Sequence, residues 1–162
     1  MKIAVICVGR AGAQLDAAIR DYEARTARYW SLDVVEVKEE RARKGMTEEQ
    51  VKDAEAERIL KRAPRGAELV ALTPAGDEWS SARFARHLER HAAEGGADLA
   101  FVIGGAFGLG EEVMRGARRR MRLSTFTMPH DLARLVLMEQ LYRAGTIIRN
   151  EPYHKGGKGG EE

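Results

Sequence analysis

Cysteine occurs once in the 162 residues, at Cys7. A lone cysteine excludes an intramolecular disulfide and any multi-cysteine zinc site, and fits a reducing cytoplasm. No apolar run approaches the ~18 residues a membrane helix needs. The opening MKIAVICVGRAG is too short and lacks a cleavage site, so it reads as a first strand and not as a signal peptide. Net charge is only +2. Several common motifs are also missing. There is no G-x-x-x-x-G-K-[ST] loop, and the glycine-rich stretch runs G-x-x-G-x-G from Gly105 and follows a late strand. ATP and nicotinamide phosphate sites are poor matches. Ser80 and Ser81 lack a G-x-S-x-G context, leaving hydrolase chemistry without a nucleophile.

What remains is a chain of single-domain length, with 44% hydrophobic and 32% charged residues, the profile of a soluble globular protein. Short apolar runs alternate with helix-length amphipathic segments. Strands are expected at 3–8, 33–37, 68–72, 99–103 and 123–128. Helices are expected at about 13–28, from a capping box at Thr47-Glu48-Glu49-Gln50 through Leu60, from Ser80 or Ser81 to about Ala92, at 111–120 and at 132–148. Residues 38–46 read as an exposed loop and 73–81 as a polar turn. Such alternation predicts an α/β fold with a mostly parallel sheet and flanking helices. No repeat or linker divides the chain. Residues 1–155 form one domain, and residues 156–162 are expected to be a flexible glycine-rich tail.

In open α/β sheets ligands bind beyond the carboxyl ends of the strands. Three loops there are unusual: Leu72 to Gly76, Ile103 to Gly110 with four glycines in the last seven positions, and Leu123 to His130. Glycines after a buried strand let backbone amides approach a ligand, although they also serve ordinary tight turns. His87 and His91 stand four apart on a helix without an evident third ligand, which predicts a solvated face and no metal site. Residues 47–57 carry five acids against one base, whereas 115–122 read RGARRRMR. Arg115, Arg118, Arg119 and Arg122 would share one helix face. An RNA phosphate surface and a merely arginine-rich exterior both account for them.

Together these residues form a recognisable pattern. It combines a strand ending in IGG before the glycine loop, Ser124-Thr125-Phe126-Thr127-Met128-Pro129-His130, a helix reading R-x-x-L-x-E-Q-x-Y-R-A from Arg134, and a terminal Pro152-Tyr153-His154. The chain resembles the bacterial ribosomal RNA large subunit methyltransferase H family, of the SPOUT class of knotted methyltransferases. The resemblance covers nearly the whole chain to Lys155. It departs in the extension KGGKGGEE and in the apolar pair Ala106-Phe107.

The resemblance implies a homodimeric, cytoplasmic enzyme with a C-terminal trefoil knot. It would use S-adenosylmethionine, releasing S-adenosylhomocysteine, to methylate N3 of a pseudouridine in 23S rRNA of the assembled ribosome. No membrane or metal partner is implied. Donor contacts would fall on Leu72, Gly104, Leu123, Ser124, Thr125, Phe126, Thr127 and Met128. Candidates for easing loss of the imide proton are His130, Arg143, Tyr153 and His154. Tyr153 could instead pack the tail, and Arg143 could pair with Glu139. The apolar width of the last helix, with Leu135, Val136, Met138, Leu141 and Tyr142, points to a subunit interface. Alternatives are a knotted methyltransferase acting on tRNA and a non-catalytic RNA-binding module.

Overall fold

The computed structural model describes residues 1–153, so His154 and the glycine-rich tail lie outside the described residues. Strands β1 (Lys2–Val8), β2 (Ser31–Val37), β3 (Glu68–Glu78), β4 (Leu99–Ile103) and β5 (Arg119–Arg122) form one sheet in the order β2-β1-β4-β3-β5. Every pairing is parallel. Helices α1 (Ala13–Thr26), α2 (Glu48–Arg62), α3 (Ser81–Ala93), α4 (Glu111–Gly116) and α5 (His130–Ile148) complete the alternation read from the sequence.

Period-two alternation along β1 explains the layers. Ile3, Val5 and Cys7 join Leu99, Phe101 and Ile103 in a core closed by Phe84 and Leu88 of α3 and Leu137, Met138 and Leu141 of α5. Ala4, Ile6 and Val8 face the other way, onto Ala56 and Ile59 of α2 and Val113 of α4. Burying both faces is why β1 and β4 read as unbroken apolar runs. Helix α2 starts as its sequence predicts. Thr47 Oγ1 accepts from the Gln50 amide at 3.2 Å, and the Gln50 side chain accepts from the Thr47 amide at 2.9 Å.

Four expectations are corrected. The fifth strand is Arg119–Arg122, and 123–128 is a loop. Met121 is the one buried residue of β5, so a single inward side chain among arginines suffices for an edge strand, a position that tolerates charge. Because α4 ends at Gly116, the arginines do not share a helix face. Arg115 lies in α4, Arg118 in the connection, and Arg119 and Arg122 in β5. Part of the supposed polar turn extends β3, with Asp77 and Glu78 paired to Met121 and Arg122.

Finally, His87 is not solvated. It is only 7% exposed and packs edge-on against Trp79, with ring centroids 4.9 Å apart. Burial, reinforced by the Arg119 and His91 charges, pushes its pKa down to about 4. The unfolded chain therefore binds the extra proton between the ordinary value of 6.5 and about 4. This contribution is complete above that window and is lost as pH falls through it. In urea unfolding, acidification from pH 7 to about 4.5 should cost the wild type about 2–3 kcal/mol more than His87→Gln. An equal loss in both proteins would remove His87 from the account.

Candidate active site

A cavity of about 460 Å³ opens at the carboxyl ends of β4 and β5 and beside the register break in the middle of β3. Its walls are Leu72 to Pro74, Ile103 to Leu109, and Arg122 to Met128 without Thr125, closed by His130 and Ala133 of α5. All three segments singled out in the sequence meet here, although the first, Leu72 to Gly76, is an irregular part of β3 and not a loop. Seven of the eight expected donor-contact residues line the cavity. Thr125 lies on the same loop but is not among the lining residues. Met114, Arg122 and Ala133 line it from outside the three segments. Met114 and Ala133 carry no local signal, whereas Arg122 belongs to the basic cluster.

Backbone contacts set the shape. The Gly108 amide donates to the Gly105 carbonyl at 3.1 Å, folding the glycine loop back on itself. A Cβ on Gly104 would meet the Gly108 carbonyl carbon at 2.7 Å, so the loop closes this tightly only over glycine. The Phe126 amide donates to Ser124 Oγ at 3.0 Å, holding the 123–128 loop in a compact turn that leaves the Phe126 ring 84% exposed at the rim. His130 Nε2 lies 3.1 Å from the Arg10 carbonyl, and the Gly12 amide donates to Asp131 Oδ2 at 3.1 Å. The start of α5 is thus pinned to the β1–α1 loop, which fixes His130 at the cavity. Arg122 is held at the edge by Glu78, with Nη2 to Oε2 at 2.9 Å.

Arg143 and Tyr153 are elsewhere. They lie near the far end of α5; Arg143 is thirteen residues beyond His130, or about 20 Å along the helix axis. Arg143 Nε donates to Glu139 Oε1 at 2.9 Å, the pairing the sequence allowed, and Tyr153 donates to the same oxygen at 3.1 Å. The Tyr153 ring stands 4.6 Å from Tyr142, and its hydroxyl lies 3.1 Å from that of Tyr22. Burial, with the hydrogen bonds to Tyr22 and Glu139, pushes the phenol above its ordinary value, so it stays protonated at neutral pH. Among the described residues no three His, Cys, Asp or Glu side chains gather as metal ligands, and no helix is long and apolar enough to cross a membrane.

A parallel sheet whose glycine-lined cleft sits at its carboxyl edge defines a nucleotide- or cofactor-binding α/β protein. Comparison with known proteins narrows the class. A family model described as a predicted SPOUT methyltransferase matches residues 1–154. A protein of Gemmatimonas aurantiaca named ribosomal RNA large subunit methyltransferase H is 52% identical, covering 96% of this chain and 100% of its own. A protein of the same name from Syntrophotalea carbinolica is 46% identical over 95% and 99% of the two chains. The solved structure of a probable methylase family protein from Haemophilus influenzae shares the fold at TM-score 0.52 and 13% identity, covering 99% of this chain and 71% of that one. The chain belongs to the SPOUT methyltransferase family and is an enzyme of that class. The C-terminal trefoil knot stands as an implication of that membership.

Proposed function

We propose that the cavity holds S-adenosylmethionine, and that the enzyme transfers its methyl group to N3 of a pseudouridine in 23S rRNA of the assembled ribosome, in the cytoplasm. The observation that carries this is the convergence of Leu72, Gly104 and the 123–128 loop on one cavity. Its volume of about 460 Å³ suits a nucleoside-sized ligand. The names of the full-length relatives support the ribosomal RNA substrate. When bound, the sulfonium donor supplies an activated methyl group. The protein's own part is to grip, dry and orient. Leu72, Ile103, Leu123 and Met128 offer apolar walls, and the glycine loop brings backbone groups close. In this reading His130, which lines the cavity, accepts or relays the imide proton.

Calorimetry with S-adenosylmethionine tests the donor site. Saturable binding supports it, whereas no binding leaves an RNA-binding module.

The same reading takes the enzyme as a homodimer. Arg143 and Tyr153 can join His130 at one site only if a second subunit supplies them, because one helix holds them apart. Leu132 is exposed and Leu135 and Tyr142 are half-buried on α5, whereas Leu137, Met138 and Leu141 are consumed by the chain's own core. Sedimentation should give about twice 18.0 kDa at micromolar concentration. A monomer active on ribosomes would contradict the shared site.

RNA is expected on the arginine-rich edge beside β5. Arg118 and Arg119 approach the partly buried Glu68 at 3.4 and 3.3 Å, so reversing their charge would crowd carboxylates there. Neutral variants are cleaner. Arg115, Arg118 and Arg120 are exposed, and changing all three to Gln should leave donor affinity within about twofold, under ~0.5 kcal/mol. Ribosome methylation should fall about tenfold or more, with a flatter salt dependence. Full activity would shift RNA to another surface, such as the loop at Arg41 to Lys44.

A further inference from the structure

Helix α2 carries a carboxylate where its pattern calls for an apolar residue. Val51, Ala56 and Ile59 form its buried stripe, and Glu55 sits within it at 3% exposure. In the sequence Glu55 is simply one of five acids in a charged stretch. One oxygen, Oε1, accepts from the Glu40 amide at 3.1 Å, while Oε2 is buried without a hydrogen-bond partner among the described residues. The charged groups around it are Arg58, which pairs with Glu40, and the carboxylates of Glu39 and Glu40. Burial raises the Glu55 pKa, opposed by the Glu40 amide and Arg58.

The placement of that carboxylate is specific. A Cβ built on Gly105 would lie 2.9 Å from Glu55 Oε2 and 3.0 Å from Oε1, so the carboxylate is pressed against the glycine. Gly105 is itself a wall of the cavity. Among the described residues the lining contains no carboxylate; its ionisable members are Arg122, paired with Glu78, and His130. Glu55 therefore places a carboxylate one glycine behind the ligand space, with Oε2 closed off from solvent. Leaving a buried carboxylate oxygen unpartnered costs stability that a neutral side chain of the same shape would not. A stability cost of this kind is common at functional sites.

We propose that Glu55 acts through Gly105 as the specificity-determining charge of the cavity, favouring the sulfonium donor over the neutral thioether product. The proposal rests on the donor assignment above and deepens it. S-adenosylmethionine and S-adenosylhomocysteine share their adenine, ribose and amino-acid parts and differ by one methyl group and one permanent positive charge. Apolar walls and backbone amides grip the shared parts alike, so they discriminate weakly. A fixed negative charge at low dielectric acts on the difference. Release of the product is eased by the same charge, because methyl transfer removes the cation that it holds.

Calorimetric titration of the full chain with each ligand at neutral pH tests this without any turnover. The ratio of the S-adenosylhomocysteine to the S-adenosylmethionine Kd should fall at least about fivefold in Glu55→Gln, through weaker donor binding. Glu55→Asp keeps the charge and should keep the wild-type ratio within about threefold. Glu57→Gln removes an exposed charge from the same helix and should leave the ratio within about twofold. Thermal unfolding should find Glu55→Gln at least as stable as the wild type. A ratio unchanged in Glu55→Gln overturns the proposal, including the case where both ligands weaken equally because the carboxylate serves the shared ammonium group. A Glu55→Gln chain that does not fold overturns it too, since the carboxylate is then structural. If the wild type binds neither ligand, the donor assignment itself fails, an outcome distinct from an unchanged ratio.

Discussion

Arg134→Leu should destabilise the protein by about 3 kcal/mol, near the lower end of what breaking a buried ion pair costs. Arg134 is buried on α5 and binds two carboxylates from different elements. Its Nε and Nη2 donate to Glu23 Oε1 of α1 at 3.1 and 2.6 Å, and its Nη1 donates to Glu36 Oε1 of β2 at 2.7 Å. Removing it leaves two carboxylates facing a gap, and Glu23 is too enclosed to recover full hydration. The loss should lower Tm by roughly 6–12 °C for a domain of this size. Adding Glu23→Gln and Glu36→Gln to Arg134→Leu should recover at least about half of the lost stability, because the cost is the uncompensated charge and not the missing bond. Full stability in the single variant would show that solvent reaches this cluster freely. Arg134 is also one residue from the cavity-lining Ala133, so the cluster fixes the helix that carries His130.

Gly104→Val should reduce S-adenosylmethionine affinity at least about a hundredfold, or ~2.7 kcal/mol. The obvious reason, a side chain filling the ligand space, is not the one the structure supports. The new Cβ would meet the backbone of Gly108 at 2.7 and 2.8 Å and the Leu109 amide at 3.0 Å. Neither neighbour is a flexible side-chain tip. The glycine loop must move as a whole, and Gly105, Phe107 and Leu109 leave their places in the wall together. Far-ultraviolet circular dichroism should be nearly unchanged, because Gly104 follows β4 and lies in no helix or strand. Wild-type donor affinity in this variant would show that the glycine loop takes no part in binding.

These two sites differ in how far the sequence exposes them. The glycine loop was legible because it follows an apolar run at a strand's carboxyl end, where glycine has a physical reason to gather, whereas the Ser-Thr-rich loop follows the arginine-rich β5 and stood out only by its own composition. The sheet was legible for the same reason, since β1 and β4 are buried on both faces. The 119–122 edge strand was not, because strand patterns are read from apolar residues and β5 has only Met121 to offer. Its neighbour Leu123 to Met128 mimics a strand with three apolar residues, Leu123, Phe126 and Met128, that in fact line a cavity. Glu55 and His87 were misleading in the opposite way. Both have polar side chains on helices, and only the packing of the glycine loop and of Trp79 against them reveals burial. Arg143 and Tyr153 were grouped with His130 by resemblance, and one chain keeps the two groups at opposite ends of α5.

The measurement that bears most directly on the central claim is nucleoside mass mapping of ribosomes incubated with the purified enzyme and isotope-labelled S-adenosylmethionine. Ribosomes isolated from cells lacking the endogenous methyltransferase should acquire one labelled methyl group, on a pseudouridine of 23S rRNA. Transfer RNA in the same reaction should stay unlabelled. Label appearing in transfer RNA, or no label in 23S rRNA at a concentration of enzyme that saturates with donor, would contradict the proposed function.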